Sequence, residues 1–178
     1  MKKIYEISNP MLESAMELIK KNNTPANSKI FIDELLHAKL LAQVIITPAP
    51  VFDEDGKPKL TPDHKIQMPM VTAANGKKYF EACTNIAEMR RMKIVGHANI
   101  IPFGFKEYMM MLAQAKDTCD GMVINPHSTG LVLNKETMVA IFGSLAKKEG
   151  AGKKTEAPES QAEAAEKQTE VSEDKQEA

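Results

Sequence analysis

Tryptophan is absent from the 178 residues, and cysteine occurs only twice, as Cys83 and Cys119. Two cysteines cannot build the disulfide framework of a small secreted domain, and they read as reduced thiols in a cytoplasm. Long apolar runs are missing as well. The longest uncharged stretches, Leu40–Phe52 and Gly121–Asn134, fall short of the roughly 18 residues that span a bilayer as a helix. The start, MKKIYEISNP, turns polar too early for a signal peptide. A cytoplasmic location without membrane attachment is therefore expected. Neither sign of charge dominates: 23 Lys+Arg face 24 Asp+Glu. Glycine-rich phosphate cradles of the GxGxxG or GxxxxGK[ST] type are lacking, and Ser128 lies in no GxSxG elbow. His37, His64, His97 and His127 stand far apart, with no CxxC or HxxxH pair to nucleate a zinc site. No metal and no cofactor are expected.

What is present divides near Lys147. Residues 148–178 hold 5 Lys against 9 Asp+Glu, which leaves 18 positive and 15 negative residues for 1–147. The tail carries Val171 as its only Ile, Leu, Val, Met, Phe or Tyr. Such a segment buries too little apolar area to offset about 1–2 kcal/mol per residue of backbone ordering. A disordered acidic tail is expected, with Gln161–Glu170 rich in helix formers; it serves either docking or solubility. The body charge of +3 is too small to point to nucleic acid or an anionic membrane.

The body, 1–147, reads as one α+β domain. Its pattern predicts a mixed sheet of about five to six strands packed by four to five helices. Asn9-Pro10 opens a helix with Leu12, Met16 and Ile19 inward. A second helix starts at Asn27 or Ser28, with Phe31, Leu35, Ala38 and Leu41 as its inner stripe. Val44–Thr47 is β-branched and stops at Pro48, as a strand buried on both faces would. Phe52–Pro58 reads as a turn or mobile loop, and Asp53/Asp55 beside Gly56 lack the length and terminal Glu of a calcium loop. Asn75-Gly76 predicts a hairpin with a type I′ turn. Thr84 or Asn85 caps a short helix through Met92, and Glu88 is placed to complete a capping box with Asn85. Ile100–Pro102 is a short strand. Phe105, Tyr108, Leu112 and Ala115 mark another helix. Met122–Ile124 and Leu131–Leu133 are strands joined by Asn125–Gly130, and Asn134 caps a last helix.

Three sets of residues could carry chemistry. Cys83 ends a strand just before a helix start, where amide groups and the helix dipole lower a thiol pKa. It is either a reactive thiol or a buried small apolar residue, and a nucleophile would also need a base nearby. Cys119, between Asp117 and Asp120, has neighbours that disfavour a thiolate. Arg90, Arg91 and Lys93 cluster without interleaved aromatics, a weak nucleic-acid signal beside that of a solvated helix face. The Met109–Met111 run, within 12 methionines overall, fits an adaptable apolar surface or simple core filling.

Asp120-Gly121-Met122-Val123-Ile124-Asn125-Pro126, followed by Leu131-Val132-Leu133 and a helix, resembles the SseB amino-terminal domain, the "enhanced serine sensitivity" family of bacteria. Ala82-Cys83-Thr84-Asn85 stands where that family often has an aromatic-Thr-Ser/Asp step. The resemblance covers roughly residues 9–146 and implies a divergent, single-domain bacterial member. Cys83 replaces the aromatic, Met92 stands where a Trp is frequent, and the acidic tail replaces the second domain of some members. It implies no reaction, cofactor or catalytic residue.

The function expected from these residues is a non-enzymatic binding or regulatory module, since no catalytic constellation is visible. A protein partner or small ligand would meet the turn Asn125, Pro126, His127, Ser128 and Thr129. There Asn125 bonds nearby backbone and Pro126 fixes φ, unless the turn is a plain strand connector. The first alternative is a thiol-dependent enzyme or redox sensor using Cys83. The second is weak nucleic-acid binding through Arg90, Arg91 and Lys93, although no nucleic acid is expected as a partner.

Overall fold

The computed structural model describes residues 4–53, 58–59 and 61–151. Its elements, in chain order, are α1 (Pro10–Lys21), α2 (Pro25–His37), β1 (Leu40–Thr47), β2 (Val51–Phe52), β3 (Pro58–Lys59), β4 (Lys65–Gln67), β5 (Met70–Thr72), β6 (Lys78–Ala82), α3 (Ile86–Arg91), β7 (Asn99–Phe103), α4 (Phe105–Ala115), β8 (Gly121–Ile124), β9 (Leu131–Asn134) and α5 (Lys135–Ala151). The chain divides into two units, Met1–Ser144 and Leu145–Ala178. The expected disordered tail beyond residue 151, including the run of helix formers Gln161–Glu170, lies outside the described residues, as do Asp55 and Gly56.

The first unit is an α+β domain. A three-stranded antiparallel sheet, β4-β1-β7, and a four-stranded mixed sheet, β5-β6-β8-β9, are its main layers, and β2 pairs with β3. In the larger sheet β6 and β8 run parallel while β5 and β9 flank them antiparallel. An isolated bridge joins the two sheets: Leu41 and Cys83 exchange backbone hydrogen bonds of 2.8 and 2.9 Å.

Alternation along the strands separates two faces. Phe80, Ala82, Met122, Ile124 and Leu133 point into the main core, where Leu12 and Met16 of α1, Phe31 and Leu35 of α2, Tyr108 and Leu112 of α4, and Met138 and Ile141 of α5 meet them. Each buried Leu, Ile, Met or Phe among them contributes about 1.5–3 kcal/mol of transfer free energy. The opposite face is only partly covered. There α3 and Met92 close a second, smaller cluster of Ile7, Leu41, Cys83, Met89 and Met92.

Several local expectations need correcting. Helix α2 starts at Pro25, because Thr24 accepts a bond from Asn27 N–H and Pro suits the first helical position. Leu41 belongs to β1 and not to the α2 stripe. Apolar spacing alone cannot tell a helix end from a strand start, and pairing with β7 and Cys83 decides for the strand. Asn9 does not cap α1 with its side chain; its Nδ2 donates to the carbonyls of Lys39 and Thr84, at 2.9 and 2.6 Å. The Asn75-Gly76 hairpin forms, but only Gly76 is left-handed, with φ +80°. Ala73 accepts from Gly76 N–H and donates to Lys77 O, which makes a three-residue loop ending in a glycine bulge in place of a type I′ turn.

Gly121 shows why its motif needs glycine. Its φ is +144°, and a Cβ there would lie 2.1 Å from the carbonyl oxygen of Leu133. The close approach of β9 fixes the start of β8, and β8 leads into the turn described next.

Candidate functional site

At the end of β8 the chain must reverse, and Asn125 does this in the left-handed region, with φ +52°. Asparagine tolerates that conformation better than most residues. Its carbonyl accepts from Ser128 N–H and Gly130 N–H, and its own N–H donates to Ala82 O at 2.8 Å. The Asn125 side chain reaches 41 residues back along the sequence, and not to the backbone groups two residues on. Its Oδ1 accepts from Thr84 N–H at 2.9 Å, and its Nδ2 donates to Thr84 Oγ1 at 2.9 Å. The Thr84 hydroxyl donates in turn to Glu13 Oε1 of α1 at 2.5 Å, and Asn85 Nδ2 donates to the same oxygen at 2.7 Å. Asn85 Oδ1 caps α3 through Glu88 N–H.

Asn125 is 2 % exposed and Thr84 fully buried. A buried polar network stabilises only when every member is satisfied, and among the described residues no buried side-chain nitrogen or oxygen lacks a partner. One chain of bonds thus ties α1, the β6–α3 corner and the β8–β9 turn together.

The turn's outer residues are held differently. Ser128 is exposed, and its Oγ donates to Glu88 Oε2 at 2.5 Å. That carboxylate was expected to close a capping box with Asn85; it accepts from Ser128 and lies 3.7 Å from Arg91 Nε. Thr129 is half-buried, and its carbonyl accepts from Lys20 Nζ. Pro126 is half-buried and His127 exposed. Of the five turn residues named from sequence, Asn125 therefore faces inward as the fastener, and His127 and Ser128 face solvent.

Beside the turn, Glu81 of β6, Val123 of β8 and Val132 of β9 stand in one cross-strand row on the outer face. Val123 is buried, whereas Val132 is 49 % exposed. Partial burial raises the Glu81 carboxyl above the usual carboxylate range, and the charge of nearby His127 acts against that rise.

The two thiols sit inside. Cys83 Sγ donates to Met92 Sδ at 3.0 Å, within the small outer cluster. Burial first, then the carboxylates of Glu88 and Glu81, push its pKa up to about 12. The helix start three residues on does not offset that burial, so the thiol keeps its proton at neutral pH. Cys119 Sγ donates to Gly121 O at 3.2 Å, and burial raises its pKa too. Arg90, Arg91 and Lys93 are exposed. His37 bonds to Asp33 O, and His64 bonds within its own loop to Thr61. Among the described residues no three His, Cys, Asp or Glu side chains converge as a metal site, and no helix is long and apolar enough to cross a membrane. Met109 and Met111 pack on the main core, and Met110 points to solvent.

The model of the SseB protein N-terminal domain matches residues 12–140. The chain belongs to that family. The matched span begins in α1 and ends in α5, so it contains every member of the network just described. The two segments that carry the sequence resemblance, Thr84-Asn85 and Asn125-Pro126, are the ones that bond to each other across the SseB N-terminal domain. Comparison with curated proteins returns no match, and neither does comparison with solved structures.

Sequence reasoning missed Glu13 altogether: a carboxylate on an amphipathic helix reads as solvent-facing. Thr84 was visible only as a possible cap. Glu81 and Val132 carried one usable signal, the alternation of β6 and β9, once the register was known.

Proposed function

We propose that this domain is a non-enzymatic binding or regulatory module, working in the cytoplasm, where its two thiols stay reduced. Its contact surface is the rim formed by His127, Ser128 and Thr129, with Glu81 and Val132 beside them. A protein partner or small ligand meets this rim directly. What supports the reading is the division of labour in the turn. The Asn125 side chain bonds inward to Thr84 and its carbonyl closes the turn, while His127 and Ser128 are left outside on a backbone that is already fixed. A preformed platform loses little entropy when it binds.

The thiol-dependent alternative has less support, because a nucleophilic cysteine needs exposure and a lowered pKa, and Cys83 has neither. Affinity capture tests the reading. Wild type, His127→Ala/Val132→Lys and Asn125→Ala are compared after circular dichroism has shown each to be folded. Both variants are expected to lose the same partner or ligand, one through the contact and the other through the platform. Undiminished recovery by both would remove this surface from consideration.

A further inference from the structure

A second surface lies where α3 runs into β7, and it is built on different principles. Gln43 is a polar residue among the buried apolar residues Leu40, Leu41, Ala42 and Val44 of β1, and it is 3 % exposed. Its Nε2 donates to Lys93 O at 3.0 Å, and its Oε1 accepts from Val95 N–H at 2.9 Å. The carbonyl of Val95 accepts from Ala98 N–H at 3.1 Å, around Gly96 with φ +54°. The backbone of Val95 is therefore held on both sides. Its side chain is nevertheless 45 % exposed, and that of Ile94 is 54 % exposed.

Scattered exposed aliphatic residues need no explanation. Two in succession, on a loop that a buried amide pins from inside, are a different matter. Cations surround them in sequence. Arg90 and Lys93 are exposed and form no ion pair among the described residues, and Arg91 shares only the Glu88 contact. We propose that Arg90, Lys93, Ile94 and Val95 form a docking surface for an acidic protein segment carrying an aliphatic or aromatic anchor. Charge complementarity selects the acidic partner. The aliphatic pair selects a protein over a nucleic acid, which would call for exposed aromatic rings on which bases stack.

This surface does not depend on the His127 turn, and the test keeps the two apart. Random dodecapeptides displayed on phage are selected against the full chain, and binders are measured at several salt concentrations. The enriched peptides are expected to be net acidic with at least one large apolar residue. Arg90→Glu/Lys93→Glu should weaken them about tenfold and abolish their salt dependence. Ile94→Ser/Val95→Ser should weaken them about tenfold while leaving the salt dependence in place, as loss of buried apolar area predicts. His127→Ala should leave their binding unchanged. The proposal is overturned by a failure to enrich, by binders without acidic excess, or by binding that survives either double substitution. A short single-stranded oligonucleotide that binds more tightly than the best peptide would overturn it in favour of nucleic acid.

Discussion

Two buried side-chain amides, Asn125 and Gln43, each hold a surface loop from inside, and they do it in opposite ways. Asn125 sits in the loop it fixes and reaches inward to Thr84, joining a network that continues to Glu13. Gln43 sits in a core strand and reaches outward, to backbone groups of a loop 50 and 52 residues away. The first loop presents polar groups, His127 and Ser128; the second presents Ile94 and Val95. The contrast teaches that rigidity at a surface is supplied by interior hydrogen bonds, independently of what the loop displays.

The largest effect is expected where the amide and the backbone strain coincide. Asn125→Ala strands Thr84 N–H in a buried setting and forces alanine into a left-handed φ. The two costs together amount to about 3 kcal/mol, measurable by urea denaturation. Asn125→Gly should recover the backbone part alone, so an equal loss in both variants would place the whole effect in the hydrogen bonds. Gln43→Ala comes next, at about 1–2 kcal/mol, because Lys93 O and Val95 N–H lie close enough to the surface for water to replace part of what is lost. Its specific mark is faster hydrogen exchange at Val95 with the sheet amides unchanged, which would separate a loop fastener from a core residue.

A third effect concerns pH. Cys83 holds its proton up to about 12, above the ordinary thiol value of 9.0. The unfolded chain gives up that proton first, so the stability tied to Cys83 is intact below pH 9.0 and declines from there towards pH 12. Cys83→Ala should flatten that part of the alkaline decline, and native Cys83 should resist iodoacetamide near neutral pH. The smallest effect is expected from His127→Ala. Stability should change by less than about 0.5 kcal/mol, as for most exposed positions. The Glu81 carboxyl, freed from the imidazolium, should titrate at still higher pH by carbon-detected NMR.

Much of this architecture was legible from residue order. Asn85, Asn134 and Asn75-Gly76 mark real boundaries, because caps and turns are set by interactions within a few residues, and Pro10 opens α1 although the Asn9 side chain bonds elsewhere. The α+β class and the GMVINP strand-turn were legible too. The start of β1 at Leu40 and the partners of Asn125 were not, since each depends on a strand or side chain distant in sequence; the hairpin type turned on a local choice, because Asn75-Gly76 suits a glycine-bulge loop as well as a type I′ turn. Gln43 gave no sign at all. It falls between the helix stripe expected to end at Leu41 and the strand expected to start at Val44, and its two backbone partners lie 50 and 52 residues away. Burial of Cys83 was likewise decided by Met89 and Met92 of the α3 segment, and not by its own neighbours.

The central claim is that the β8–β9 turn is a fixed platform fastened from within by Asn125. Native-state hydrogen exchange at Thr84 N–H and Gly130 N–H tests it most directly, because those protons are held by the Asn125 side chain and carbonyl. Both amides should exchange only when the whole domain opens, with protection equal to that of Phe80 and Met122 in the paired strands. Exchange of either amide far faster than those strand positions, with the strands still protected, would contradict it.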